Sequence, residues 1–586
     1  MKKIFILSLV CVFLLATTSG MAQGVGKIGD LNLRDMTALE LTGHMGNGIN
    51  LGNTMEAYGH RYPGIHEPPS TYETLWGQPI TTSEMIMEMK KAGFDSIRIP
   101  VAWTNTMDYR NGDYTISPAY LERVAEIVNY ALDADMFVII NDHWDGGWWG
   151  MFGSASEQTR KDAMDVFTSM WTQVGTYFKD YPHQLIFEVA NEELGTRLNE
   201  TSIAADSGYL SERETYQVTN RINQKFVDLI RGLGGNNSDR FLLVAGYNTD
   251  IERTMDDRFV MPKDTAQNKL LLSVHYYTPW NYCGTDSVNN WGTEQEYDIQ
   301  NELLGKMTKF TDQGYGIIFG EYGVLPKSDG SLKKNIIDFL TNFHDNMELY
   351  GYVPMLWDTS SFFIRTELKI VDEDLANFFK ERSLENRSAL SANEVKERAK
   401  ASMATALEIA RQRDEEAGPV LGGSGEAVAW IMFDSGDYLT TYSVGDIYTP
   451  TAKTEGVIAT DVVIEEEGTY TVALDFRGTE QGYANSVSFS AIGIYNGEIL
   501  FPGYVIEIKK LLINGKPYNM RGKPYTTADD KACTRVNLYN EWVTSIPKDI
   551  RVLNDNFLPY VSATLLNKRN IDKIETIEVE FDYVKK

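Results

Sequence analysis

An α/β chain, a (β/α)8 barrel followed by an all-β sandwich, is the architecture the sequence predicts, and three observations predict it. Eight short apolar runs alternate with helix-patterned segments from about residue 40 to 385. A Gly-rich stretch, Gly418 to Gly425, then follows one further helical pattern. Beyond it the apolar period changes to two, the spacing of half-buried antiparallel strands.

The elements follow in order. Residues 1–22 read as an export signal: Lys2 and Lys3 precede an apolar run, Ile4 to Ala16, and small residues lead to Ala22. Cys11 lacks the small residue expected before a lipidated Cys, so no lipoprotein is read. The protein is expected to be secreted, periplasmic or at the cell surface. Residues 23–385 form the barrel, with strands at Gly48–Gly52, Ser96–Pro100, Phe137–Asn141, Leu185–Ala190, Phe241–Ala245, Leu270–Tyr276, Gly316–Gly320 and Val353–Trp357. Most are continuous apolar runs, as parallel strands covered on both faces require. Thr81-x-x-Glu84 reads as a capping box, Gly93 as a helix stop, and Ser117-Pro118 as a helix start. The stretch Asn248 to Asn268 carries the weakest helical pattern. A doubly wound sheet would need a Gly-rich phosphate loop after its first strand, and Gly48-Ile49-Asn50-Leu51-Gly52 is not one.

Residues 386–426 read as a helical linker and hinge, opened by Ser391-x-x-Glu394 and continued by Val395, Ala399, Met403, Leu407 and Ala410. Residues 427–586 form the sandwich. There Tyr470, Val472, Leu474 and Phe476 alternate with polar or small residues, as do Ile577, Val579, Phe581 and Tyr583.

Composition narrows the function. The chain has 586 residues and a formal charge of −28, which disfavours nucleic acid or an anionic membrane as partner. No run after the signal reaches the length of a membrane span. Three Cys exclude a disulfide scaffold, and Cys283 and Cys533 are expected to be free and buried. Aromatic residues make up 12 %, more than packing alone usually requires, and the acidic charge fits a neutral or cationic substrate better.

In a barrel the working residues project from the C-terminal ends of strands. The fourth run ends Asn191-Glu192-Glu193 and the seventh Gly320-Glu321-Tyr322-Gly323. Strand two carries Arg98, strand three ends His143-Trp144, strand six His275-Tyr276-Tyr277, and strand eight Trp357-Asp358. Two carboxyls facing one mouth suit hydrolysis of a glycosidic bond, which needs a protonated acid at the leaving oxygen and an ionised carboxylate opposite. Arg98 is expected to keep Glu321 ionised, and burial beside a second charge to raise Glu192 so that it serves as acid.

These residues resemble glycoside hydrolase family 5, the retaining (β/α)8 β-glycanases, and within it the endo-β-1,4-glucanase and xyloglucanase branch. The resemblance rests on Asn50-Leu51-Gly52-Asn53-Thr54-Met55-Glu56-Ala57, Ile97-Arg98-Ile99-Pro100-Val101, Asn191-Glu192, Val274-His275-Tyr276-Tyr277, Gly320-Glu321-Tyr322-Gly323 and Trp357-Asp358. It implies Glu192 as acid/base and Glu321 as nucleophile. It also implies substrate contacts from Asn53, Arg98, His143, Asn191, His275, Tyr277 and Trp357, with a β-glucan as substrate. No cofactor and no metal are implied, and no His-Glu-x-x-His helix accompanies the histidines. Two positions depart from the pattern: Glu193 stands where the family has Pro, and Trp144 where the branch has a second His.

The aromatic group Trp144, Trp148, Trp149 and Phe152 reads as glucose-stacking subsites, with Trp76, Trp103, Trp280 and Trp291 as further candidates. In the sandwich, Trp430, Tyr483, Tyr525, Tyr539 and Trp542 are candidates for a glycan-binding face, making it a carbohydrate-binding module by architecture and context. Xyloglucanase, mixed-linkage glucanase, xylanase or mannanase activity stays open, as does a non-catalytic glycan-binding surface protein. The oligomeric state is unknown from the sequence.

Overall fold

The computed structural model describes residue 28 and residues 31–586, apart from 60–63, 286–287, 388–389, 418–425, 435–441, 445–446, 450–455, 530–532, 541, 544, 568–570 and 572. The expected signal, Cys11 and the Gly-rich stretch lie outside the described residues.

Eight parallel strands close into a barrel in sequence order: β1 (Gly48–Asn50), β2 (Ser96–Ile99), β3 (Phe137–Asn141), β4 (Leu185–Glu188), β5 (Leu242–Ala245), β6 (Leu270–Tyr276), β7 (Gly316–Tyr322) and β8 (Val353–Leu356). Closure comes from β1 pairing with β8, Gly48 opposite Met355. Every strand residue is buried, which is why these strands read as unbroken apolar runs. Alternate side chains such as Phe137, Ile139, Ile186, Leu243, Leu271 and Ile318 fill the interior with Leu41 and Met45 of the helix Ala38–Met45, which stops the bottom. The intervening residues Val138, Ile140, Leu185, Phe187 and Leu272 pack outward against the helical layer.

Helix boundaries follow capping chemistry. The first crossover helix is Ser83–Lys91, and its cap is Thr82, whose side chain accepts from Met85 N–H, rather than the expected Thr81. Thr81 instead donates its backbone N–H to Glu73 Oε1 at 2.7 Å. Gly93 follows at φ +108°, where an added Cβ would sit 2.4 Å from the Phe379 carbonyl, so glycine alone fits. Pro118 opens the helix Pro118–Asp133 as expected. Between Asn248 and Asn268 only one short α-helix forms, Ile251–Met255.

The helix Ala392–Ala417 begins with the expected box, Ser391 Oγ accepting from Glu394 N–H while Glu394 accepts from Ser391. It lies against the barrel, with Ala399 and Ala410 fully buried and Arg398, Arg411 and Arg413 paired to Glu348, Glu294 and Asp338 at 2.9, 2.5 and 3.3 Å.

Past residue 426 two five-stranded sheets face each other. Gly468–Asp475 pairs antiparallel with Thr576–Lys585, Gly468 opposite Tyr583 and Asp475 opposite Thr576. Val472, Leu474, Ile577, Val579, Phe581 and Tyr583 point into a shared core with Ile431, Phe433 and Ile492 of the other sheet, while Glu578, Glu580 and Asp582 stay outside the buried core. This is the sandwich that the period of two predicts.

Candidate active site

A bulge aims the acid at the end of β7. Val274 lies opposite Phe319, but His275 lies opposite Glu321, so Gly320 is the extra residue, and the β7–β8 register shifts at the same place. A Cβ on Gly320 would approach Ser273 Oγ to 2.8 Å and His275 Nε2 to 3.0 Å, so the close packing of β6 and β7 requires glycine.

Arg98 organises the floor. Its fully buried guanidinium donates to Glu188 at 2.6 Å, Asn50 Oδ1 at 2.9 Å, Glu321 at 3.1 Å and Asn191 Oδ1 at 2.8 Å. Ser273 Oγ donates to the other oxygen of Glu188 at 2.8 Å, and Asn50 Nδ2 donates to the carbonyls of Gly320, Met355 and Leu356. Arg98 is therefore shared between Glu321 and a second acid, Glu188. Sequence reasoning assigned no role to Glu188, Asn50 or Ser273. The signal was available, because a buried cation on a barrel strand needs acids on neighbouring strands.

Glu321 also accepts from Tyr277 Oη at 3.1 Å, and His143 Nε2 stands 3.9 Å away. Asn141 Nδ2 lies 3.4 Å from His143 Nδ1, and the His143 ring stacks on Trp357 at 5.7 Å and 7°. Burial, reinforced by Arg98, pushes His143 well below the usual imidazole range, so it is neutral. His275 Nδ1 meets Glu192 Oε1 at 3.0 Å and Glu321 Oε2 at 3.6 Å. One donor atom from each of Glu192, His275 and Glu321 falls within 4.8 Å of the others, a spacing a cation could also use among the described residues. The two acids thus converge on one mouth.

Their proton affinities run opposite to the sequence expectation. Burial and the charge of Glu192 raise Glu321, outweighing His275 and Arg98. Burial also acts on Glu192, but His275, Arg197 and Arg98 outweigh it and hold this carboxyl below its usual range. His275, bonded to Glu192 Oε1, lowers it most, and Arg197, which sequence reasoning missed, adds a pair with Glu192 Oε2 at 2.9 Å.

The aromatic expectations divide. Trp148 and Trp149 are fully buried, stacked on each other at 4.5 Å, and both indole N–H groups donate to Asp142 Oδ2. With Phe152, also buried, they form a loop core and offer no face to a sugar, which corrects the subsite expectation for them. Trp144 is only half-buried, held edge-on to Tyr58 and donating to Glu200 at 3.1 Å. Trp103 and Trp291 are buried, whereas Trp76 and Trp280 are exposed, Trp280 edge-on to Tyr277 at 6.0 Å. Asn53 occupies the turn after β1 at φ 58°, its backbone N–H donating to Glu56. Trp357 is half-buried over Gly52, and Asp358 beside it accepts from the N–H groups of Ser360, Ser361, Phe362 and Phe363. A cavity of about 370 Å³ adjoins the site at His275, lined by Asp250, Glu252, Thr278, Gln295, Glu302 and Lys306.

In the sandwich Trp430, Tyr525 and Tyr539 are buried, Tyr483 lies under Lys573 at 5.0 Å, and Trp542 is exposed. Cys283 and Cys533 are free and buried. No helix among the described residues is long and apolar enough to cross a membrane.

The sequence matches the family described as Cellulase (glycosyl hydrolase family 5) over residues 57–362. It is 33 % identical to Endoglucanase A of Paenibacillus barcinonensis over 387 residues, 61 % of this chain and 90 % of the relative. It is also 33 % identical to a xyloglucan-specific endo-beta-1,4-glucanase of Bacteroides ovatus, over 57 % of this chain and 68 % of that protein. Among solved structures, the Glycoside Hydrolase 5 Lichenase of Caldicellulosiruptor sp. F32 with cellotetraose superposes with TM-score 0.53 at 31 % identity, over 60 % of this chain and 96 % of its own.

Proposed function

The chain belongs to glycosyl hydrolase family 5, and from that premise we propose that it is an endo-acting β-1,4-glucanase working by retaining double displacement. The observation that carries the reading is the approach of Glu192 and Glu321 to within 4.8 Å, which suits direct attack better than the wider gap of about 6.5–9.5 Å that a water-activating pair needs.

Glu321 attacks the anomeric carbon while Glu192 protonates the leaving oxygen, and Glu192 then deprotonates the water that frees the sugar. Arg98 and Tyr277 hold the two Glu321 oxygens in line, each at 3.1 Å. Asn191, whose Oδ1 is committed to Arg98, has its Nδ2 left to hold the 2-hydroxyl of the reacting sugar. His275 orients Glu192, His143 completes the polar shell, and Trp357 supplies the stacking floor. Trp144 and Trp280 are the accessible rings for flanking sugars. For Glu192 to carry that proton, its pair with Arg197 at 2.9 Å has to open.

A reducing-sugar assay over purified cellulose, xyloglucan, mixed-linkage glucan, xylan and mannan tests the substrate. Glu321→Ala is expected to abolish hydrolysis, with azide restoring glycosyl transfer to a product of inverted configuration. Near-normal hydrolysis by that variant would remove Glu321 from the nucleophile role. The sandwich is proposed to bind glycan through the face bearing Trp542, and residues 1–22 to direct export.

A further inference from the structure

One aromatic side chain at the mouth is held from two sides by neighbouring loops. Trp144 directly follows His143, whose Nε2 stands 3.9 Å from Glu321, and its own ring is half-buried. It meets Tyr58 of the loop after β1 edge-on, at 5.8 Å and 82°. Its indole N–H donates to Glu200 Oε2 at 3.1 Å. Glu200 closes the turn Thr196–Asn199, the same turn that brings Arg197 to Glu192. The loops after β1, β3 and β4 therefore converge on a single indole.

The backbone beneath the ring is closely fitted. The stretch Asp145–Gly153 continues from Trp144 and lies flush against both neighbouring loops. Gly146 adopts φ +70°, and a Cβ there would overlap the Tyr58 ring, while one on Gly150 would overlap the Glu200 carbonyl. Ser207 Oγ donates to the Gly150 carbonyl at 2.6 Å, and Tyr209 N–H to the Gly153 carbonyl at 2.9 Å. Trp148 and Trp149, both tied to Asp142, fill the inside of the stretch. None of these contacts uses the Glu200 side chain, whose carboxylate instead fixes the angle of the Trp144 ring.

We propose that the exposed face of Trp144 is a subsite for a neutral β-linked pyranose flanking the reacting sugar, and that Glu200 is the positioning residue that holds the ring ready for it. The inference rests on the reading of Trp144 as a ring for a flanking sugar. A pyranose presents a face of C–H groups that packs on an aromatic face, so affinity depends on the angle at which that face is offered. A half-exposed indole with free torsions would have to be ordered each time a chain binds, and a ring already held avoids that cost. The carboxylate acceptor makes the bond to the indole N–H stronger than one between neutral groups. The subsite holds the chain in ground state and transition state alike, so it acts on KM and leaves kcat alone.

The test is steady-state hydrolysis of a soluble β-glucan. Glu200→Ala should raise KM by about three- to tenfold, the worth of one such hydrogen bond, with kcat near wild type. Glu200→Gln keeps an acceptor oxygen and should restore most of the affinity. Trp144→Phe keeps a ring but loses the N–H. It should raise KM by a similar factor, and adding Glu200→Ala to it should raise KM no further. A side chain that merely braced the loop would cost affinity equally in both backgrounds. That result, or an unchanged KM in Glu200→Ala, overturns the positioning role. Trp144→Ala checks the subsite separately and should raise KM at least as much as Glu200→Ala. If it leaves KM unchanged, no sugar rests on this ring and the reading of Trp144 itself fails.

Discussion

Arg98 donates Nε to Glu188 and Nη1 to Glu321, so one fully buried guanidinium ties an acid inside the barrel to the proposed nucleophile at its mouth. Arg98→Ala would leave both acids buried without their cation. Removing one partner of a buried pair costs about 3–5 kcal/mol, so denaturant unfolding should show a loss of that size together with loss of hydrolysis. Arg98→Lys keeps the charge but not four simultaneous donors, and should recover stability more than kcat.

Gly320→Ala tests the bulge. The new Cβ would press on Ser273 Oγ and His275 Nε2, displacing Glu321 and the ring beside it. A shift of about 1 Å in a reacting group costs about 100-fold, so kcat should fall by one to two orders of magnitude while KM changes little. Steady-state kinetics on a soluble β-glucan checks this.

Buried and accessible tryptophans should separate cleanly. Trp149→Ala removes a fully buried ring and should cost about 3–5 kcal/mol of stability, with KM of the folded protein unchanged. Trp357→Ala should leave stability nearly intact and raise KM, because its ring is half-buried beside His143. Thermal melts and Michaelis curves on the two variants decide it.

Stability should carry a signature of Glu56. Burial, opposed by the Asn53 and Thr54 N–H groups and Arg365, raises this carboxyl from its usual 4.5 to about 7. The folded state therefore keeps a proton that the unfolded chain releases. Its contribution is full below pH about 4.5, falls as pH rises to about 7, and is lost above that, a change of about 3 kcal/mol. Glu56→Gln keeps the neutral form at every pH. The melting temperature of Glu56→Gln relative to wild type should rise between pH 5 and pH 8.

The barrel strands were readable because a strand buried on both faces has no polar period, and each apolar run ended in the residues that reach the mouth. Glu192 and Glu321 were visible for that reason. The burial of Trp148 and Trp149 was not, since an aromatic-rich loop looks the same whether its rings face a cleft or one another, and Asp142 as acceptor of both indoles becomes evident only in three dimensions. Thr81, Thr82 and Ser83 are all competent caps, so the choice of Thr82 fell to the acceptor that claimed Thr81 N–H. Arg197 sits in a short turn with no period to mark it, and the contact of His275 with Glu192, which lowers that acid most, is set only in three dimensions, so the sequence points Glu192 in the wrong direction.

The extra residue in β7 makes the heading of Glu321 a matter of counting. Side chains along a strand alternate sides and Gly320 already faces the interior, so in an unbulged strand of the same residues Glu321 would turn with Phe319 toward the surrounding helices, with every reacting group still encoded. A chain so altered would look competent to any inventory of its amino acids and yet cleave nothing.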